Sequence, residues 1–279
     1  MIGSLQTGVS GLQQFQEDLQ VIGNNIANVN TVGYKSATMD FEDQLSQSLA
    51  NGSDSSMQIG EGVTTSAIDS NFTQGTINSD AVTMHLAVSG AGFFLVKDTS
   101  SGLTYATRDG GFNLDANGYM INANGDRVQG LMGAATTTTD LQINNATAIA
   151  ALNDTTPGAT LDASSIKINT NGQITATLSD GTSGVIGQVV LQNFTNPQAL
   201  IKQGGNLYSF NADAGPLATP GTPNTSGLGT IQSGALESSN VDLATEMSNL
   251  ITAQRAFEAN AKIITTSDEV LQDLVNLKR

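Results

Sequence analysis

The residue types that usually carry catalysis are scarce. The chain has one histidine, His85, and no cysteine. Histidine-based triads, thiol nucleophiles and zinc sites therefore have almost no ligands to draw on. Val82, Met84, Leu86 and Val88 alternate around His85, which predicts a half-buried strand with the imidazole on its polar face. Asp109, Asp115 and Asp126 lie beside Gly-rich turns, and Asp115-Ala116-Asn117-Gly118 looks like a fragment of a calcium loop. The further acidic ligands and the closing Glu at fixed spacing are missing, so a structural turn is the better reading. No carboxylate pair is singled out for glycoside cleavage. The Asn24-Asn25 amides suit backbone or cross-helix bonds at a helix end. No catalytic residue, metal ligand set or cofactor is expected.

The elements that would position any function lie at the two ends. In residues 1–29, Leu5, Leu12, Leu19 and Ile26 form one heptad file, with Phe15, Ile22 and Val29 as its companion and Gly8 as a small exception. From Val241 to Arg279 no Gly or Pro interrupts the chain. Leu243, Leu250, Phe257, Ile264 and Leu271 recur every seven residues, with Met247, Gln254, Ala261, Asp268 and Val275 as the companion file. Asn240 or Asp242 can cap the helix start. The two runs are expected to pair as a coiled coil. Ile251, Ile263, Val270, Leu274 and Leu277 lie outside the seam, and each is worth roughly 1.5–3 kcal/mol once buried. Lateral association with other copies is therefore expected.

The fold class expected is α+β, with an antiparallel β-rich domain inserted between the helices. Residues 1–35 and 237–279 form a discontinuous helical domain, 36–70 a connecting arm (a short helix or an extended segment around Met39, Phe41, Leu45 and Leu49), and 71–236 the β-rich domain. The period turns to two from about Met57. Phe93–Val96 and Val185–Phe194 are expected strands, and turns at Asp115–Gly118, Asn124-Gly125, Asn171-Gly172 and Asp180-Gly181 mark hairpins. Ala134–Thr160 and Asn211–Ser233 read as long connections.

Composition excludes several partners. Ten basic residues against 25 acidic ones give a net charge of −15, and the bases are scattered, so a nucleic-acid partner is not expected. No apolar run approaches the ~20 residues of a membrane helix, and the first residues lack the basic and apolar regions of a cleaved secretory signal. Absent cysteine argues against a disulfide-stapled domain.

Asn24-Asn25-Ile26-Ala27-Asn28 followed by Gly33-Tyr34-Lys35 resembles the amino-terminal signature of bacterial flagellar rod and hook proteins. Gly234–Leu243, which includes Asn240 and Asp242, and Ala253–Lys262, which includes Gln254 and Arg255, resemble the family's carboxy-terminal signature. Gly92-Phe93-Phe94, Thr107–Gly110 and Phe112–Asp115 are similar to its β-domain pattern. The resemblance implies export through the flagellar type III channel and stacking of copies into a hollow helical tube that transmits torque. The terminal helices would line that tube, with other axial proteins (rod, hook cap, hook–filament junction) as partners. Val270–Leu277 and Gly187–Phe194 favour a hook protein with a reduced outer region. The chain's length suits the alternative, a distal rod protein, while the stretch Leu45–Gly62 is longer than the compact hook version and shorter than the usual distal-rod insertion. A reading from a different class is a secreted β-rich glycan-binding or glycan-active protein.

Overall fold

The structure is a computed structural model that describes residues 2–44, 46–50, 56–133, 137–143, 166–177, 181, 183–216, 220–225 and 227–277. The chain forms two compact units. One comprises residues 1–29, 35–71 and 241–279, and the other residues 30–34 and 72–240.

The first unit holds both helices, α1 (Ile2–Ala27) and α2 (Leu243–Leu277). They run antiparallel: Ser4 Oγ lies 3.5 Å from Ser267 Oγ, Gly8 abuts Ile264 and Gly11 abuts Asn260. Asp242 caps α2, its Oδ1 accepting from Ala244 N at 2.9 Å and Thr245 N at 3.4 Å, which satisfies two of the free N–H groups of the first turn. Between the helices in sequence, β1 (Ala37–Asp43) pairs with β4 (Val63–Ser70), and β2 (Ser46–Ala50) pairs with β3 (Ser56–Gly60). Of the two readings given to the segment after residue 35, the extended one is realised, and period two begins at Ala37 rather than Met57. Met39, the buried residue of β1, lies opposite Ile68 of β4, and this pairing holds the segment extended. The ribbon is pinned to α1, where Thr65 Oγ1 donates to Gln14 and Ser10 Oγ accepts from Val63 N.

The second unit is built on an antiparallel sheet. Its strands run in the order 167–168, 173–177, 183–189, 127–132, 93–97, 104–107, 207–209 and 201–204. Phe93-Phe94-Leu95-Val96 is apolar without alternation because both faces of its strand are covered. Phe94 and Val96 join a core with Leu86, Val128, Ile174 and Leu191, and Phe93 and Leu95 join a second with Ala106, Phe194 and Tyr208. Phe94 meets Phe112 edge-on at 5.1 Å between ring centres, and Phe93 meets Phe194 at 5.5 Å. These arrangements suit the quadrupoles of the rings.

The hairpins expected at Asp115–Gly118 and Asn171-Gly172 are present, with Met120 opposite Leu114 and Ile174 opposite Ile168. Three expectations need correction. The strand drawn from Val82 begins only at Leu86, because His85 N donates to Val82 O at 3.0 Å and turns the chain there, leaving Val82 exposed. The strand drawn from Val185 to Phe194 breaks at Val190, so residues 187–189 pair with 130–132 while Leu191 pairs with Phe94. Within Asn211–Ser233, Ala212–Ala214 is a helical turn capped by Asn211, and Thr230–Ser233 is a strand against Leu86–Ser89. Most of the connection drawn at Ala134–Thr160, the loop tip at 51–55, Asp180 and the last two residues lie outside the described residues. Among the described residues, no helix is long and apolar enough to cross a membrane.

Candidate assembly interface

Spacing decides which sides of the helices meet. On α1 the contact side follows Ser4, Gly8, Gly11, Phe15, Asp18, Ile22 and Asn25, at alternating steps of four and three. Gly8, Gly11, Ile22 and Asn25 are buried. On α2 the answering side follows Glu246, Leu250, Ala253, Phe257, Asn260, Ile264, Ser267 and Leu271 at the same steps, half-buried or buried throughout. Four residues of the main α2 file, Leu250, Phe257, Ile264 and Leu271, thus share one inward side, whereas Leu243 is exposed. The companion file is displaced by one residue: Met247, Gln254, Asp268 and Val275 are exposed, and Glu246, Ala253, Asn260 and Ser267 take the inward place. The physical reason is close approach. A Cβ at Gly8 would lie 3.1 Å from Ile264 Cγ1, and one at Gly11 would lie 2.9 Å from Asn260 Nδ2. The seam therefore selects small residues, which a count of hydrophobic side chains overlooks; Ser4, Gly8 and Gly11 were the available signal. Leu5, Leu12, Leu19 and Ile26 are half-buried on α1.

The remaining apolar side chains of α2 stay in solvent. Met247, Ile251, Ile263, Val270, Leu274 and Leu277 are all exposed, with Met247 and Ile251 together near the start of the helix and Ile263, Val270, Leu274 and Leu277 together on another side near its end.

The motif residues close the ends of elements. Asn25 is 1% exposed. Its Oδ1 accepts from Ala37 N at 3.0 Å and its Nδ2 donates to Ala37 O at 2.8 Å, so one amide satisfies both polar groups of the first residue of β1. Asn25→Ala would orphan that pair and is expected to cost about 1–3 kcal/mol, readable as a fall in the urea midpoint. Asn28 Nδ2 donates to Asn24 O at 2.9 Å and Asn24 Oδ1 at 2.8 Å, closing the last turn of α1. Asn240, the other candidate cap, instead donates to Thr73 Oγ1 at 2.9 Å. Tyr34 and Lys35 are buried, and Lys202 Nζ sits 5.2 Å above the Tyr34 ring. Gln254 and Arg255 are exposed.

Gly33 has φ +68° and donates its N–H to Glu237 O at 2.8 Å. A Cβ there would lie 2.6 Å from Asp109 N. Gly33→Ala combines a left-handed backbone penalty with a clash against main chain, together about 2–3 kcal/mol of lost stability, again measurable by urea unfolding.

Sequence reasoning missed the partner of Arg108. Its Nη1 lies 3.3 Å from Glu237 Oε2, both side chains 5% exposed or less. Glu237 Oε1 also accepts from Gly75 N at 2.8 Å, Arg108 Nη2 donates to Gly90 O at 2.9 Å, and the guanidinium stacks 5.0 Å over Phe93. Burial pulls the Arg108 guanidinium down, and the Glu237 charge pushes it back up. Two motifs separated by 129 residues thus meet in one buried ion pair. His85 is held by Asp80, with Nδ1 2.7 Å from Oδ2, which gives the lone histidine a structural partner.

Burial pushes the neighbouring Asp109 carboxyl up, partly offset by the hydrogen bond from Gly111 N and by His85. A raised carboxyl favours the folded state in acid, and that contribution is lost as pH rises through the folded pKa. Asp109→Asn is therefore expected to raise the urea midpoint at neutral pH, with the gain over wild type shrinking as pH approaches about 4. Among the described residues, no cluster of three or more His, Cys, Asp or Glu is placed to hold a metal.

Three family profiles match this chain. Residues 5–35 match "Flagella basal body rod protein", 87–176 match "Flagellar hook protein FlgE/F/G D1 domain", and 232–277 match "Flagellar basal body rod FlgEFG protein C-terminal". The flagellar basal-body rod protein FlgG of Bacillus subtilis is 39% identical over 287 residues, covering all of both chains. The chain belongs to the flagellar rod and hook protein family. FlgG of Agrobacterium fabrum is 34% identical across 96% of each chain, and the flagellar hook protein FlgE of Borreliella burgdorferi is 27% identical over 444 aligned positions covering both chains. The rod and hook proteins are structural, and the matched ends are the segments that build α1, its closing asparagines and α2. Membership displaces the secreted glycan-directed reading.

Proposed function

We propose that this protein is a subunit of the distal rod of the bacterial flagellum, polymerising helically into a tube that carries torque from motor to filament. The observation that carries the reading is the end-to-end alignment with a rod protein in 287 positions at 39% identity, against 444 positions needed to align a hook protein at 27%. A hook protein of that kind holds long stretches for which this chain of 279 residues has no counterpart. The hook reading drawn from Gly187–Phe194 and Val270–Leu277 gives way on this point, since short shared segments weigh less than a match over the whole length.

In this reading, Leu5, Leu12, Leu19 and Ile26 of α1 and the exposed apolar side chains of α2 meet neighbouring copies, and the helix pairs form the tube's inner, coiled-coil layer. Burial of these side chains between copies supplies the driving force. The partners are further copies of this chain, the adjoining rod and hook subunits, and the flagellar type III export channel. Complementation is the test. Expression in a strain lacking its distal rod protein should restore hook-bearing basal bodies and motility, and expression in a hook-less strain should not. The reverse pattern would overturn the rod assignment.

A further inference from the structure

The helical unit carries a groove of about 250 Å³ between α1, β1 and α2, with Phe15, Ile22, Met39 and Phe41 as its apolar lining. Two carboxylates, Asp18 and Glu246, face into the same groove. Glu246 is 9% exposed. Among the described residues, neither carboxylate has a cation or a hydrogen-bond donor as a side-chain partner. Burial pushes the Asp18 carboxyl up, as expected of a charge removed from water without a counter-ion. Apolar walls around two uncompensated acids call for an occupant that brings both a hydrophobic side chain and a positive charge.

The chain itself holds such a segment. Val275 and Leu277, at 70% and 82%, are the most exposed large apolar side chains among the described residues. Lys278 and Arg279 follow directly and are the only adjacent pair of bases in the sequence. Four of the other bases are buried or engaged, since Lys35 and Arg108 are buried, Arg127 lies 3.0 Å from Asp140 and Lys202 stacks on Tyr34, while the exposed Lys167, Arg255 and Lys262 each stand singly in the sequence. The segment cannot reach its own groove. Ala253, which lines the groove, and Leu277 lie on one unbroken helix, and 24 residues at 1.5 Å rise separate them by about 36 Å.

The geometry points to a head-to-tail joint in which residues 275–279 of one copy seat in the groove of Phe15, Ile22, Met39 and Phe41 of a second copy, Lys278 and Arg279 meeting Asp18 and Glu246. This deepens the assembly reading above and rests on it. A joint between two different surfaces is heterologous, and its repetition generates an open helical array when the rotation between copies does not close a ring.

The cysteine-free sequence makes the joint directly testable in the full-length protein. Met39→Cys and Leu277→Cys chains, prepared separately, mixed, polymerised and oxidised, should form disulfide-linked heterodimers, because a disulfide needs Cα atoms within about 7 Å. Met39→Cys paired with Ile263→Cys should not. In parallel, Lys278→Glu with Arg279→Glu should raise the critical concentration for polymerisation roughly tenfold or more, and mixing those chains with Asp18→Lys chains should recover part of the loss.

Linkage to Ile263→Cys instead of Leu277→Cys would overturn the assignment. So would polymers that form without any heterodimer, or a critical concentration unmoved by the charge reversal. If wild-type protein polymerises and helix-seam variants do not, these negative results remove the joint and leave the assembly reading standing. If the cysteine variants do not polymerise, the charge-reversal series decides.

Discussion

Phe257→Asp is expected to abolish polymerisation at concentrations where the wild type assembles, while leaving the β-rich unit folded. Phe257 lies on the inward side of α2, between Leu250 and Ile264, and Ile264 is the residue that Gly8 abuts. The substitution removes an apolar side chain worth roughly 1.5–3 kcal/mol on burial. It also places a carboxylate in a seam whose inward residues Gly8, Gly11, Ala253 and Asn260 carry no charge. Because each subunit of a polymer repeats the defect, a loss of about 3 kcal/mol per subunit corresponds to a critical concentration more than a hundredfold higher. Sedimentation of the polymer, with circular dichroism to follow helix and strand content separately, makes the measurement. Tubes that form at the wild-type concentration would remove the helices from the account of assembly.

The second large effect concerns a single molecule. Arg108→Ala takes away the guanidinium that lies 3.3 Å from Glu237, a carboxylate whose side chain is 0% exposed and which also accepts from Gly75 N. Breaking a buried pair from one side typically destabilises by about 3–5 kcal/mol. Arg108→Met combined with Glu237→Leu should be far milder, since it removes both charges and keeps most of the volume. The difference between the two variants in urea unfolding separates the penalty of an orphaned charge from the worth of the pair. Equal losses would mean that packing against Phe93, rather than charge, is what the pair contributes. Arg108 Nε itself has no hydrogen-bond partner, so the pair is already incompletely satisfied, and the double replacement relieves that atom too.

How far the sequence could lead is visible in particular residues. The two helices were legible because seven-residue recurrence leaves a mark in hydrophobicity that no other element makes. The companion file on α2 was displaced by one position because the seam is narrow. Gly8 and Gly11 bring the backbones close, and the inward places go to Ala253, Asn260 and Ser267 rather than to Met247 and Gln254. The Asn-Gly turns were legible because left-handed backbone at Gly118 and Gly172, with φ of +77° and +74°, restricts the residue choice.

Local pattern does not carry long-range pairing. Nothing in Thr107–Gly110 names Glu237 as the partner of Arg108, and nothing in Thr230–Ser233 names Leu86–Ser89 as its strand neighbour. Residues 36–50 read equally as a short helix or an extended arm, because an isolated two-stranded ribbon needs a support. That support is α1 and the clip from Asn25 to Ala37, neither of which the ribbon's own residues announce. The rod reading proposed above draws on similarity over the whole length, 287 positions to a rod protein against 444 to a hook protein, which no short motif displays.

Both halves of the helix pair come from opposite ends of the polypeptide, with the entire sheet strung between them. On any route that passes the polypeptide as a thread, whichever tip emerges first must wait, unmated, until the last residues follow. The adhesive surface then cannot mature part-way along such a passage. On such a route it would come into being only where delivery is complete.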